Sequence, residues 1–294
     1  MKTEIKIAPY APLLIYKKGY TAEFVFNTIK KNNLKGLRIF ALLKDDRLET
    51  LDFLKDFSFL ESLHIDSLDD ADFSFLNSLV NLRDLSIGVE GKNRIDLSAN
   101  TNLEILAVDW RKEVVGIEKC KNLRLFSLYG YKKSDLSQFS MLTSLKELIV
   151  KTSSLESLKG VNELINLKSI KIGNCRKLNH VSDLNGLKEL ESLEFNICPK
   201  ITDFSSLIDL PALQKLYLID CKEINSVKFI ENFTSLNTFG LLGNTVIADG
   251  NTLPLKNIPH LSYRHYSNYN FRIPTPEADA LEKRNLAKIK PRKA

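Results

Sequence analysis

Residues 201–218 read ITDFSSLIDLPALQKLYL and combine two hydrophobic periods in one short segment. In the first part, apolar residues from Phe204 to Leu213 recur at every third position. This spacing is typical of short 3-10 or helical turns, in which residues three apart lie on one side. In the second part, Leu216 and Leu218 are separated by one residue, and a period of two places both on one face of a strand. The segment therefore predicts a helical limb that leads into a short strand.

The strand part of this segment is one copy of a pattern, L-x-x-L-x-L, that occurs ten times along the 294-residue chain. Successive copies begin 20 to 26 residues apart, and leucine accounts for 48 residues. One strand with one limb cannot bury its own leucines, so we expect neighbouring copies to stack around a continuous core. A decayed eleventh copy is predicted to begin at Leu261. The ten copies begin at Leu34, Leu60, Leu82, Leu103, Leu123, Leu145, Leu167, Leu190, Leu213 and Leu236.

The ten copies resemble the leucine-rich repeat family, and residues 201–218 are similar to its bacterial internalin-like subclass, whose repeats contain about 22 residues. The resemblance covers roughly residues 34–266. It implies an α/β fold, a curved, right-handed solenoid with a parallel β-sheet on its concave face and short 3-10 or helical limbs on its convex face. It also implies a platform that binds other molecules rather than one particular activity.

The chain is predicted to form four regions, because a repeat solenoid needs caps where its apolar core and open sheet edge would otherwise meet solvent. In the N-terminal cap we expect two short strands, at residues 4–8 and 12–17, followed by a helix over residues 20–31. The four regions are the N-terminal cap (1–33), the ten repeats (34–258), the decayed eleventh repeat with the C-terminal cap (259–274), and a basic tail that is helix-prone or disordered (275–294).

The ninth position of each copy follows the strand, and in the family an Asn or Cys usually points into the turn there. The late copies keep this pattern with Cys175, Cys198, Cys221 and Asn244. Burying an arginine or a glutamate at this position would be expensive, so we expect the turns of the early copies to bulge outward. The early copies hold Leu42, Leu68, Glu90, Arg111, Tyr131 and Ser153 at this position.

Cysteine and histidine give little sign of a metal site or a catalytic centre. Three of the four cysteines lie one repeat apart, which the repeat itself explains, and no C-x-x-C pair is present. His64 and His265 are assigned to outward strand positions as surface contacts, and a hydrolase that depends on either is the enzymatic alternative. The chain has no Walker-type phosphate loop, dinucleotide-binding glycine motif or H-E-x-x-H motif. We therefore predict a protein without catalytic activity, cofactor, metal ion or small-molecule substrate.

Strand geometry gives a candidate binding surface, because alternate residues of each strand point out of the sheet on its concave side. Aromatic and arginine side chains supply much of the binding energy in protein interfaces, and several fall on outward positions or just past a strand. The alternative is that Trp110 and Tyr131 fold into the turns as part of the core. The predicted centre of the partner-binding site is Trp110, Arg111, Tyr129 and Tyr131, with Phe40, Asp109, Lys151 and Tyr217 as further contacts.

The net charge of +6 is concentrated near the C-terminus, where residues 272–294 contain seven Lys or Arg and three acidic residues. Such a tail can contact phosphates or an anionic lipid surface, but it has no aromatic residues on which bases would stack. No stretch approaches the ~20 apolar residues of a membrane-spanning helix. The N-terminus has Glu4 and Lys6 where a signal peptide would be apolar. We therefore expect a cytoplasmic protein.

These observations predict a non-catalytic protein–protein interaction module that binds a partner protein on its concave face. The specific role that we expect is an inhibitor or immunity protein that blocks a toxin or an enzyme. One alternative is a secreted effector or adhesin with leucine-rich repeats. The other is association with nucleic acid or a membrane through the basic tail, although nucleic acid is the less favoured partner.

Overall fold

Strands and short helical limbs alternate along the chain in the order that the two hydrophobic periods predict. Leu68, Glu90 and the predicted tail at 275–294 lie outside the described residues. The computed structural model describes residues 3–7, 10–42, 50–67, 70–89, 91–111 and 113–271.

Within these ranges, thirteen strands form one long sheet, in which every neighbouring pair is parallel except the first. Four further short strands pair outside it, β6 with β8 and β14 with β16. In chain order the strands are β1 (Ile5–Lys6), β2 (Leu13–Tyr16), β3 (Gly36–Ala41), β4 (Ser62–Ser67), β5 (Asp84–Val89), β6 (Ile95–Asp96), β7 (Ile105–Asp109), β8 (Val114–Val115), β9 (Leu125–Tyr129), β10 (Glu147–Lys151), β11 (Ser169–Gly173), β12 (Ser192–Asn196), β13 (Lys215–Ile219), β14 (Glu223–Ile224), β15 (Thr238–Leu242), β16 (Val246–Ile247) and β17 (His260–Tyr263).

The second and third apolar residues of each copy form the inner side of the long sheet. Pairing in register brings equivalent residues side by side, so Leu148 lies opposite Phe126 on one neighbouring strand and Ile170 on the other. All three side chains are buried, because a period of two turns equivalent positions to the same side. A ladder of apolar residues therefore runs along the sheet and forms the core that a single copy lacks.

Short 3-10 helices return the chain from one strand to the next, as the three-residue period predicts. The Leu164 N–H donates to the Val161 carbonyl (2.9 Å), and the Leu167 N–H donates to the Leu164 carbonyl (3.0 Å). These bonds align residues three apart on one side, where they are buried. The predicted solenoid, with a parallel sheet on its concave face and short limbs on its convex face, is confirmed. The 3-10 helices of the described residues are Asp52–Asp56, Ser74–Ser78, Ile117–Lys119, Ser137–Phe139, Val161–Glu163, Ser182–Leu184, Lys228–Asn232 and Leu253–Leu255.

One α-helix, α1 (Ala22–Lys31), packs against the N-terminal end of the core. The Thr21 hydroxyl caps it by accepting a hydrogen bond from the Phe24 N–H (3.1 Å). Val25 and Ile29 are fully buried, so the helix covers apolar residues that would otherwise meet solvent. Among the helices of the described ranges, none combines the length and apolar character needed to cross a membrane.

The eleventh copy begins three residues earlier than predicted. β17 pairs with β15 in a register that places Leu261 opposite Phe239. Leu261 therefore holds the second apolar position of its copy, and Ile258 holds the first. The prediction that the copy begins at Leu261, with His265 as an outward strand residue, was wrong. Its third apolar position is a tyrosine, Tyr263, which hides the pattern in the sequence.

Candidate partner-binding face

The outward residues of the parallel strands form rows across the concave side of the sheet, which together we call the concave face, and two of these rows hold the predicted contacts. Pairing in register sets both rows, because each strand contributes one residue to each. From β3 to β15, the first row is Arg38, His64, Ser86, Ala107, Ser127, Ile149, Lys171, Glu194, Tyr217 and Gly240. The second row is Phe40, Asp66, Gly88, Asp109, Tyr129, Lys151, Gly173, Asn196, Ile219 and Leu242.

Two aromatic side chains of this face are about half exposed, Phe40 at 47% and Tyr129 at 48%. Lys151 lies beside Tyr129 as its register partner and is also exposed. Asp109, the register partner on the other side, is partly exposed, as is Tyr217. The structure therefore brings Asp109, Tyr129 and Lys151 together on three adjacent strands. Phe40 and Tyr217 lie towards opposite ends of the sheet.

Trp110 lies just past β7, at the rim where the strands end. Its ring packs edge-on against Tyr131 and Phe139, with ring centroids 5.0 Å and 5.7 Å away. Its backbone N–H donates to the Tyr129 carbonyl (2.7 Å). The indole is partly exposed and lines a crevice of about 580 Å³. Trp110 therefore supports the turn as well as reaching the surface, so its removal would disturb folding.

Tyr131 is completely buried in the turn that follows β9. Its ring lies against Phe139, with centroids 5.4 Å apart. Its hydroxyl donates to the Asp135 carbonyl (3.0 Å), and burial raises the pKa of this phenol well above its ordinary value. For Tyr131 the structure thus shows the alternative interpretation, in which the residue is part of the core and offers no side chain to a partner.

Arg111 is also buried, with 8% of the residue exposed, and it closes the turn after β7 from the inside. Its guanidinium forms an ion pair with Asp70 (3.0 Å) and donates to the carbonyls of Val89 and Asn93. Burial acts to raise the pKa of Asp70, but hydrogen bonds from the Lys92 and Asn93 N–H groups and from Arg111 outweigh it and hold that pKa below its usual range. The prediction that this turn bulges outward was wrong, because a carboxylate two repeats earlier neutralises the buried charge.

The late turns contain a ladder of buried, reduced cysteines, Cys175, Cys198 and Cys221. The prediction that Asn244 points into its turn as these cysteines do was wrong. Asn244 is exposed, whereas Thr245 is buried and its hydroxyl accepts a hydrogen bond from the Cys221 N–H (3.0 Å). In the portion of the chain that the structure describes, no group of three or more His, Cys, Asp or Glu residues is placed to hold a metal ion.

At the N-terminal end of the concave face, polar residues bind one another. The Arg38 guanidinium donates to the Asp66 carboxylate (2.8 Å). Buried Asp84 accepts a hydrogen bond from the Ser62 hydroxyl (2.8 Å), and the same carboxylate oxygen lies 2.9 Å from His64 Nε2. His64 thus contacts a carboxylate rather than the hydroxyl, and Ser62 is fully buried. Ser62 is therefore not an exposed serine activated by His64, as a serine hydrolase would need.

A groove of about 1090 Å³ follows the opposite edge of the sheet, where the strands begin. Charged residues of successive copies line it, and they contact one another. The Glu104 carboxylate accepts hydrogen bonds from both Arg83 and Arg124, and Lys35 lies 3.6 Å from Glu61. Three basic side chains and two carboxylates of this groove therefore pair with one another, which favours the concave face as the candidate for binding.

Ile197 is absent from the predicted site, although its backbone is unusual. It lies directly after β12, at a position that we call the rim position, and its φ of 55° is left-handed. Isoleucine rarely adopts this conformation, because its branched side chain crowds the backbone. A large aliphatic residue at a position where other copies hold Gly, Asn, Asp or Thr is the signal that the sequence offers. Other copies hold Gly130, Thr152, Asn174, Asp220 and Gly243 at the rim position, all with positive φ.

Comparison with models of protein families gives no match, and comparison with curated protein sequences gives none. Solved structures do match. The internalin inlF from Listeria monocytogenes is similar with a TM-score of 0.58 and 20% identity, over 87% of each chain. The functional domain of InlJ from Listeria monocytogenes, which includes a cysteine ladder, has a TM-score of 0.51 and 18% identity, over 76% of this chain and 47% of that one.

A chain of the mouse RP105/MD-1 complex is also similar, with a TM-score of 0.56 and 20% identity. That match covers 78% of this chain and 42% of the other. At these identities the matches report on fold alone. This chain has the leucine-rich repeat fold, and its resemblance to the internalins in architecture is confirmed.

Proposed function

We propose that this chain is a protein-binding module and that its concave face holds the partner protein. The observation that carries the proposal is the exposure of two aromatic side chains, Phe40 and Tyr129, on one row of the sheet. Both point away from the core, so folding alone does not bury them. Large apolar groups gain free energy when they leave water, and aromatic residues dominate the energetics of protein interfaces.

The rigidity of the sheet supports this proposal. Its inner strands each hydrogen-bond to two neighbours, and the apolar ladder behind them is buried. A preformed surface loses little conformational entropy on binding, so a few good contacts suffice for useful affinity. The mouse chain with a similar fold was solved in the RP105/MD-1 complex, which supports binding at the level of the fold.

The proposed site is smaller than the predicted one. Arg111 and Tyr131 are left out, because their buried side chains close turns. Trp110 is also left out, because at the rim of the sheet it supports the end of the neighbouring strand. The remaining contacts are Phe40, Asp109, Tyr129, Lys151 and Tyr217.

The specific role that we propose is an inhibitor or immunity protein of a bacterial toxin or enzyme, acting in the cytoplasm. A rigid concave face inhibits by covering the partner's active surface and needs no catalytic group of its own. A secreted effector or adhesin would use the same face on a partner outside the cell. Association with nucleic acid or a membrane would instead depend on residues 275–294.

Partner capture from a lysate of the native cells tests this proposal. We expect the immobilised wild-type chain to retain a stoichiometric protein, and a Phe40→Ala, Tyr129→Ala variant to bind it at least about tenfold more weakly. Met141→Ala is the matched control, because Met141 is 60% exposed but lies on a limb outside the concave face. Deleting residues 275–294 should leave capture unchanged.

Circular dichroism establishes that each variant is folded before capture is compared. Equal capture by the wild type and the double aromatic variant would contradict the proposed site. Recovery of nucleic acid or lipid without protein, abolished by the deletion, would contradict the protein-binding function itself.

A further inference from the structure

Ile197 occupies the rim position in a backbone conformation that isoleucine rarely adopts. At a φ of 55° its branched side chain crowds the backbone. Asn174 and Gly243 avoid this crowding in other copies and Thr152 shares it, but Ile197 adds a large aliphatic side chain that is 37% exposed. Neither the backbone nor burial favours isoleucine here, and strained residues concentrate at functional sites. The residue therefore points to a contact outside the chain.

Further apolar side chains lie beside Ile197. Its N–H donates to the Ile219 carbonyl (2.8 Å), and Ile219 pairs in register with Leu242. The Tyr217 ring lies over Gly240, where a Cβ atom would come within 2.6 Å of it. Tyr217, Ile219 and Leu242 are all partly exposed. We call these three residues and Ile197 the apolar patch.

Lysines flank the apolar patch on the neighbouring strands. Lys151, Lys171 and Lys215 point outward from β10, β11 and β13 and are exposed. In the described part of the chain, none of the three forms an ion pair. Glu147 and Glu194 are the acidic residues at outward positions of β10 to β15. The outward positions of these strands thus carry a small excess of unpaired positive charge.

The N-terminal half of the concave face has the opposite arrangement. Asp66 pairs with Arg38 at 2.8 Å, and Asp84 pairs with His64 at 2.9 Å. These two carboxylates are therefore paired within the chain, whereas none of the three lysines forms an ion pair with another described residue. The C-terminal half is the part of the face that charge complementarity leaves open to a negatively charged partner.

We propose that the C-terminal half of the concave face binds an acidic segment of the partner protein, and that apolar side chains of this segment cover the apolar patch. The inference rests on the proposed function, since it names the chemistry of the partner. Carboxylates of the segment would reach the three lysines, while its apolar side chains bury Ile197 and Ile219. Nucleic acid fits less well, because the patch is mainly aliphatic and gives bases little to stack on.

Fluorescence polarisation with defined probes tests this inference on the full-length chain. The probes are short labelled peptides in which Asp and Glu alternate with Leu and Phe, matched peptides with lysine in place of each acidic residue, and single-stranded DNA. We expect the acidic peptides to bind with an affinity that falls as salt is added. Ile197→Asn and a Lys171→Glu, Lys215→Glu variant should each bind them about tenfold more weakly.

Ile208→Asn is the matched control, because Ile208 is 62% exposed on a limb outside the concave face. Asparagine tolerates the left-handed conformation, so Ile197→Asn should match or exceed the wild type in thermal midpoint while its affinity falls. That combination separates a contact role from a folding role. Unchanged affinity in Ile197→Asn would overturn the role of the apolar patch.

Equal binding of the lysine peptides, or tighter binding of DNA, would overturn the acidic chemistry of the partner. The two proposals fail differently. If a lysate protein is lost from the Phe40→Ala, Tyr129→Ala variant but acidic peptides do not bind, the present inference fails and the proposed function stands. If the wild type captures no protein, the proposed function fails.

Discussion

At the residue scale, the turns after the strands show how large side chains take the place of small ones in the early copies. Cys175 and Cys198 fill late turns with small buried thiols. Arg111 and Tyr131 fill early turns with a guanidinium and a phenol, each bonded to backbone carbonyls. Because their polar atoms are used inside the turns, these residues contribute to stability rather than to the surface.

Replacing Arg111 tests this role. Arg111→Ala would leave the Asp70 carboxylate and the Val89 carbonyl without their buried partner, so we expect a loss of about 3 kcal/mol in the free energy of unfolding. Urea denaturation followed by circular dichroism measures it. Arg94→Ala is the control, because the Arg94 to Asp96 ion pair (2.7 Å) is largely exposed and such pairs contribute little. Equal losses in the two variants would contradict a buried structural role for Arg111.

At the element scale, periodicity predicts the strands and limbs because the same leucines that define the pattern are the ones that must be buried. The partner of Arg111 could not be predicted in this way, since Asp70 lies 41 residues earlier and no local pattern links the two. Tyr263 hid the register of β17, because it holds an apolar position of the repeat. One additional residue in the turn after β15 hid the fact that Thr245 is the residue that bonds inside that turn. Long-range pairs and irregular copies thus mark where sequence-based prediction ends.

The limbs depend on close backbone contact between copies, which Gly160 shows. Its φ is 94°, and a Cβ atom there would come within 2.6 Å of the Ser137 Cα atom. We expect Gly160→Ala to lower the free energy of unfolding by about 2 kcal/mol, from backbone strain and overlap together. Gly186→Ala is the matched control, since Gly186 has a φ of 87° with no atom within 4 Å of the added Cβ.

Gly186→Ala isolates backbone strain, for which we expect about 1 kcal/mol. Thermal and urea unfolding of both variants measure the difference. If both glycines give the same loss, the limbs are not in the close contact described, and strain alone explains their conformation.

At the scale of the whole molecule, the two halves of the concave face differ in charge, and this difference would set the direction in which a partner binds. Asp66 and Asp84 of the N-terminal half are paired within the chain, whereas Lys151, Lys171 and Lys215 of the C-terminal half form no ion pair with another described residue. If the chain binds a protein as proposed, the acidic segment of this partner would lie on the C-terminal half, so the partner would have one preferred direction along the solenoid. Exposed Phe40 and Tyr129 would then contact parts of the partner beyond that segment.

The linear stacking of copies predicts that a core mutation acts differently in the middle and near the end. Leu148 and Leu241 are both almost fully buried, and replacing either by alanine should cost about 2–5 kcal/mol locally. Leu241 lies on β15, next to the last strand of the sheet. Because each copy contacts mainly its neighbours, Leu241→Ala should reduce hydrogen-exchange protection in β13 to β17 and leave β3 to β9 protected.

Leu148→Ala, in the middle of the sheet, should reduce protection on both sides of β10, because strands in both halves depend on that ladder. Hydrogen exchange measured by mass spectrometry resolves these segments. Uniform loss of protection in both variants would mean that the solenoid unfolds as a single cooperative unit. Local loss in Leu241→Ala would instead mean that the N-terminal half, with Phe40 and Tyr129, keeps its binding geometry when the C-terminal end opens.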